Sequence, residues 1–206
     1  MKRLGSGLIM RAASCLGIVV AVAATAAGAA DLAGLPSPLP PIEVAPVLRP
    51  SLWEVRIGGS AQDLSGPESG SFNINGEVLA PQFVKLQDPV ANLFVPRVHV
   101  GGSFNTRGDT SFAYAGLTWT FDVTPQFFVE ASFGGAIHDG NTDRVMVVPD
   151  EAALGCSPLF RESASVGYRF TSNWSVMATV EHLSNGGLCS QNRGLTNLGV
   201  RLGYTF

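Results

Sequence analysis

His182 and Ser184 stand two residues apart in the run Glu181-His182-Leu183-Ser184-Asn185-Gly186-Gly187. On a β-strand that spacing projects both side chains from one face, where imidazole and hydroxyl reach each other by rotamer choice. A nucleophile–base pair needs this: the imidazole takes the hydroxyl proton as the oxygen attacks an acyl carbon. Asn185 follows at once, and its amide, with the backbone N–H of Gly186 or Gly187, is suited to hold an oxyanion. The two glycines equally suit a tight turn. Chemistry of this kind calls for no metal and no organic cofactor, and none is expected.

The elements that must position these groups are strands. From Ser51 onward the chain breaks into segments of alternating polarity, separated by turn-forming residues. The first sets Trp53, Val55, Ile57 and Ala61 against Glu54, Arg56, Ser60 and Gln62; the seventh sets Trp174, Val176, Ala178 and Val180 against Ser175, Thr179 and Glu181. The eighth, closing on Phe206, sets Leu198, Val200, Leu202 and Tyr204 against Asn197, Arg201 and Thr205. A soluble sandwich also alternates. Here, however, the polar face carries Glu, Arg and Gly in mid-strand, as a narrow barrel lumen would. The expected fold is all-β: an eight-stranded, antiparallel, up-and-down transmembrane β-barrel over residues 51–206. Asp122–Pro125 and Thr171–Asn173 are its short turns, and Gly140–Pro158 and Asn185–Leu195 its longer loops at the other end. Pro81–Val95 is long for a turn at the short-turn end, and the pattern does not account for it.

Register follows from the turns. A hairpin over Thr171–Asn173 pairs Phe170 with Trp174 and therefore Glu162 with His182. If Trp174 lies opposite Phe206, His182 meets Leu198 and Ser184 meets Thr196. All these residues share the parity of the apolar, lipid-facing set, and a one-residue slip would turn that set into the lumen. The outward face is thus apolar except where Glu162, His182, Ser184 and Thr196 cluster at the upper ends of the last three strands. Charges facing lipid are costly near the midplane and cheaper near the interface, so a rim in water is the alternative. A hydrolase opening sideways would attack a membrane lipid.

The segment GYRFTSNWSVMATVEHLSNGGLCSQNRGLTNLGVRLGYTF, Gly167–Phe206, resembles the C-terminal part of the lipid A 3-O-deacylase (PagL-type) family. Its His-x-Ser-Asn motif matches His182-Leu183-Ser184-Asn185, and its closing Gly-x-Arg-x-Gly-Tyr-x-Phe matches the last strand. The resemblance implies an outer-membrane serine esterase that removes the 3-O-linked hydroxyacyl chain of lipid A. It implies Ser184 as nucleophile, His182 as general base and Asn185 as an oxyanion contributor. One departure matters: the family completes its triad with a Glu on the last strand, and the position aligned to it here is Thr196. Glu162, set beside His182 by the register above, is the candidate substitute carboxylate.

The remaining chain frames this reading. Basic Met1–Arg11, apolar Ala12–Ala30 and the small residues before Asp31 read as a cleaved signal peptide, residues 1–30, and the Pro-rich residues 31–50 as an extended lead-in. Cys156 and Cys189 remain, and an even pair in an exported protein is expected as a disulfide; the register puts them nearly opposite one another. With 14% charged residues and a net charge of −3, nothing suggests nucleic acid. The expected location is the outer membrane of a Gram-negative cell, with lipid A or lipopolysaccharide in the outer leaflet as partner and a homodimer as a possible further one. A non-catalytic barrel with a structural or surface-interaction role is the alternative that Thr196 raises; an outer-membrane phospholipase and a soluble sandwich are the others.

Overall fold

The structure, a computed structural model, describes residues 51–142 and 150–206; the expected signal peptide and Pro-rich segment lie outside the described residues. In chain order the elements are β1 (Glu54–Ala61), β2 (Phe72–Leu79), α1 (Pro89–Leu93), β3 (Arg97–Asn105), β4 (Phe112–Asp122), β5 (Phe127–His138), β6 (Leu159–Arg169), β7 (Trp174–Ser184) and β8 (Leu195–Thr205). Each strand pairs antiparallel with the next, and β8 closes on β1 from Glu54 opposite Thr205 to Ala61 opposite Leu198. Closure leaves no sheet edge, which is the condition for strands to cross a membrane. No helix among the described residues is long and apolar enough to cross one.

The alternation of the sequence becomes the inside and outside of this cylinder. Val55, Ile57, Val100, Val166 and Val200 are exposed, while Arg56, Glu77, Glu130, Arg161, Glu181 and Arg201 are buried. In water such a distribution would be inverted; it is stable where hydrocarbon bathes the outside. The lumen is no channel. Arg56 donates to both oxygens of Glu130 at 2.8 Å and to Glu54 at 2.7 Å, and Arg161 and Arg201 converge on Glu181 at 2.7 and 3.3 Å. Charges taken out of water are costly unless each finds counter-charges with good geometry, and here the carboxylates and guanidinium groups share one lattice.

Above the lattice the mouth is stoppered by an apolar cluster. Phe112, Tyr114, Leu159, Leu183 and Leu195 point inward from the strands, and Ala152–Leu154 of the β5–β6 connection fold down among them. At the opposite end the long connection Pro81–Val95 contains α1, whose N-cap Asp88 accepts the Ala91 N–H at 2.8 Å, with Pro89 in the first turn.

The β6–β7 register sets Glu162 opposite His182, as the Thr171–Asn173 turn predicts. The β7–β8 register departs from expectation by two residues: Trp174 lies opposite Tyr204 rather than Phe206, and His182 opposite Thr196 rather than Leu198. The hydrogen bonds at the lower ends of these strands follow the observed register. Phe206 N–H donates to the carbonyl of Trp53 on the β1 side, while Thr205 N–H takes the carbonyl of Asn173. A shift of two leaves every side chain on its face, so the parity argument survives while the pairing changes.

Candidate active site

The outward face of β7 reads Trp174, Val176, Ala178, Val180, His182, Ser184; the first and the valines are exposed, and the last two are half-buried. Across the ladders His182 has Glu162 beside it on β6 and Thr196 beside it on β8, and Ser184 has Phe160 on β6. All share the outward parity. The structure therefore brings Glu162, His182, Ser184 and Thr196 together on one patch of the outer wall, at the upper ends of β6 to β8.

Within the patch the imidazole is held by Thr196. His182 Nδ1 lies 2.8 Å from Thr196 Oγ1. With Nδ1 so engaged, Nε2 is the ring nitrogen left for proton transfer. The ring's outer edge rests against Gly194, where a Cβ would fall 2.8 Å from Cε1 and 3.1 Å from Nε2. Gly194 also has φ +71°, a conformation that side chains resist. Any other residue there would displace the ring. Glu162 is exposed, and among the described residues it forms no ion pair with His182 within 4.0 Å. Ser184 Oγ likewise makes no hydrogen bond to the ring among the described residues. Catalytic hydrogen bonds in ligand-free enzymes are commonly long and tighten with substrate.

The loop beyond β7 is organised by Asn185, which is buried. Its Nδ2 donates to the carbonyls of Leu154 at 2.7 Å and Gln191 at 2.5 Å, and its Oδ1 accepts the Gly187 N–H at 2.8 Å. Both amide hydrogens are thus committed to holding the loop. Gly186 and Gly187, at φ +64° and +82°, form the turn closed by Leu188 N–H to the Asn185 carbonyl at 3.2 Å. Gly187 N–H is spent on Asn185; Gly186 N–H carries no such intraloop bond among the described residues. Cys156 and Cys189 are joined as a disulfide with Cα atoms 6.1 Å apart, tying this loop to the end of the β5–β6 connection.

Two neighbours complete the surroundings. Phe160 stacks with Phe133 of β5, ring centroids 6.0 Å apart, giving an exposed apolar shelf beside Ser184. On the other flank the β1–β2 loop reaches β8, with Leu64 N–H donating to the Thr196 carbonyl at 3.0 Å and Asp63 N–H to Asn197 Oδ1 at 3.0 Å. Burial pushes the Asp63 carboxyl above its ordinary range, against the opposing hydrogen bond from the Glu68 N–H. Among the described residues no cluster of His, Cys, Asp and Glu is arranged to hold a metal ion. Sequence reasoning missed Gly194 and the loop role of Asn185. Only a glycine at the start of the closing strand hinted at the first, and nothing distinguished an inward from an outward Asn185 at the strand's end.

The model of the lipid A 3-O-deacylase (PagL) family matches residues 68–205, which spans β2 to β8 and both loops of the site. The chain belongs to the lipid A 3-O-deacylase family. Its fold makes it an outer-membrane β-barrel of that family. The crystal structure of the outer-membrane enzyme PagL superposes with a TM-score of 0.57 at 18% identity, over 74% of this chain and 99% of that one. A de novo designed transmembrane β-barrel gives 0.50 at 12% identity, over 77% and 98%. The N-terminal β-barrel domain of Pseudomonas aeruginosa OprF gives 0.48 at 14%, over 76% and 98%. At such identities the likeness to solved structures is one of fold. No curated protein sequence matches the chain.

Proposed function

We propose that this barrel is a serine esterase that hydrolyses the 3-O-linked hydroxyacyl chain of lipid A in the outer leaflet. The observation that carries the reading is the outward, lipid-side placement of His182 and Ser184, in a chain of the deacylase family. Ser184 Oγ attacks the ester carbonyl carbon while His182 Nε2 takes its proton. Nδ1–H of the ring donates to Thr196 Oγ1, which fixes the tautomer and aims Nε2 outward. The tetrahedral oxyanion is met by backbone N–H groups, Gly186 foremost, because the Asn185 amide is committed to the loop; Asn185 acts by shaping that turn. Collapse breaks the ester C–O bond, and the imidazolium returns its proton to the departing sugar oxygen. Water, deprotonated by His182, then releases the fatty acid and restores Ser184.

An uncharged hydroxyl orients imidazole but stabilises imidazolium less than a carboxylate does. Glu162, next to His182 on β6, is the nearest carboxylate on the same face, and we assign it electrostatic support of the imidazolium. The Phe133–Phe160 shelf receives the acyl chain.

The test is purified barrel in mixed micelles with lipid A, read by mass spectrometry. Loss of one ester-linked hydroxyacyl chain, absent for Ser184→Ala, supports the reading; hydrolysis of phospholipid alone would make it a phospholipase. Thr196 favours one second reading, a non-catalytic barrel of the same family. Unchanged lipid A with both proteins would establish it.

A further inference from the structure

The β2–β3 connection, residues 80–96, lies at the end of the barrel away from the His182–Ser184 patch. It is several times longer than the turn between β4 and β5 at the same end, residues 123–126. Part of its path lies on the lipid-facing side. Trp119 and Phe121 of β4 have the outward parity of exposed Leu117, yet both are shielded: Trp119 Nε1 donates to the Phe94 carbonyl at 2.9 Å, and the Phe94 ring meets Phe121 edge-on at 6.1 Å. On the other side Gln82 Nε2 donates to the Val95 carbonyl at 2.6 Å, and its N–H donates to Ser51 Oγ at 2.7 Å. The connection is thus held at the barrel's rim, with Phe94 against the outer wall of β4 and Gln82, Asn92, Leu93 and Val95 at the mouth of the lumen beside Glu54, Arg97 and Thr118.

From this rim it exposes a run of apolar side chains. Phe83 is 75% exposed, and Val84, Leu86, Val90 and Phe94 are exposed as well. Five such groups on so short a stretch exceed the scatter of single exposed apolar residues, and they are continuous with the apolar belt of β4. The ionisable groups of the stretch are Lys85 and Asp88, which cancel, so no basic cluster is present to hold an anionic surface.

We propose that residues 81–95 form an interfacial wedge, lying in the headgroup–acyl boundary of the membrane at the end of the barrel opposite the candidate active site. The occupant of the apolar face is the bilayer in which the barrel sits. Apolar burial, not charge, drives the insertion, so it is indifferent to salt and to the anionic lipid fraction. The wedge stands whether or not the barrel is an enzyme.

Single nitroxide labels at Phe83→Cys and Val90→Cys, in a Cys15→Ser background of the full chain in phosphatidylethanolamine–phosphatidylglycerol vesicles, test this by collision with oxygen and with a water-soluble nickel chelate. Val100→Cys, on the lipid-facing wall, sets the lipid limit and Ser65→Cys the water limit. Expected is an oxygen-to-nickel ratio at both positions nearer to Val100 than to Ser65, unchanged by salt and by diluting protein with lipid. A ratio near that of Ser65 overturns the wedge. So does protection from both reagents that vanishes on dilution, which would assign the face to a second copy of the chain. Retained heat-modifiable mobility of each labelled variant shows that the barrel is folded.

Discussion

His182 holds Thr196 across the β7–β8 ladder, Nδ1 to Oγ1 at 2.8 Å, in the position from which a triad carboxylate would orient the ring. The hydroxyl supplies direction without charge. If the site is catalytic, it runs on a weaker version of the usual device. Thr196→Val removes one neutral hydrogen bond, worth about 1 kcal/mol, and should lower kcat roughly fivefold. Thr196→Glu should raise kcat above the native value. Steady-state release of hydroxy fatty acid measures both, and a Glu variant slower than Val would contradict the orienting role.

Gly194 touches the other edge of the same ring. Gly194→Ala forces a Cβ to within 2.8 Å of Cε1 and demands a left-handed backbone of a residue with a side chain. Displacements near 1 Å at a reacting group can cost about a hundredfold in rate. The expected loss is in kcat rather than KM, with the barrel's heat-modifiable band unchanged.

Glu162 flanks His182 from β6 without bonding to it. Glu162→Gln should lower kcat by less than about tenfold, the effect of one charge acting through partly wet surroundings. The loss should grow in Thr196→Val, where nothing else steadies the imidazolium. No change in either background would make Glu162 a rim charge only.

The Cys156–Cys189 bridge closes a loop with a sequence separation of 33, for which the chain-entropy estimate is about 3–4 kcal/mol. Little of that should appear as global instability, because the bridge joins two loops above a closed barrel. In Cys156→Ser, amide exchange should quicken in residues 185–194, releasing Asn185 from the Leu154 carbonyl, while the strand amides stay protected.

Deep in the lumen, Arg56→Met would leave Glu130 without its ion-pair partner and take one of the partners of Glu54 and Glu77, which keep Arg97 and Arg201. Breaking one side of a buried ionic lattice costs about 3–5 kcal/mol. Urea unfolding in vesicles should show that loss, and simultaneous replacement of Arg56 and Glu130 should recover part of it.

How much of this was legible in the sequence follows from what each feature depends on. Facing depends only on parity, so alternation sufficed to put Ile57 outside, Arg56 inside, and His182 and Ser184 on one wall. The three-residue turn after Phe170 fixed Glu162 opposite His182. The β7–β8 register was not legible, because its connection is a ten-residue loop, and a loop of that length does not tie the two strands to one pairing as a tight turn does. That two-residue shift moves Thr196 from Ser184 to His182 and so decides which ring nitrogen is held. The direction of Asn185 was hidden for a similar reason: its partners, Leu154 and Gln191, come from loops whose course no local pattern specifies.

Central to the proposed activity is Ser184 as a nucleophile activated by His182 and open sideways to hydrocarbon. Incubating intact membranes with a long-chain fluorophosphonate and mapping the adduct by peptide mass spectrometry tests it most directly. A phosphonylated Ser184 is predicted, lost in His182→Ala and far slower with a short, water-soluble analogue. An unmodified Ser184 in folded barrel, or equal labelling without His182, would contradict it.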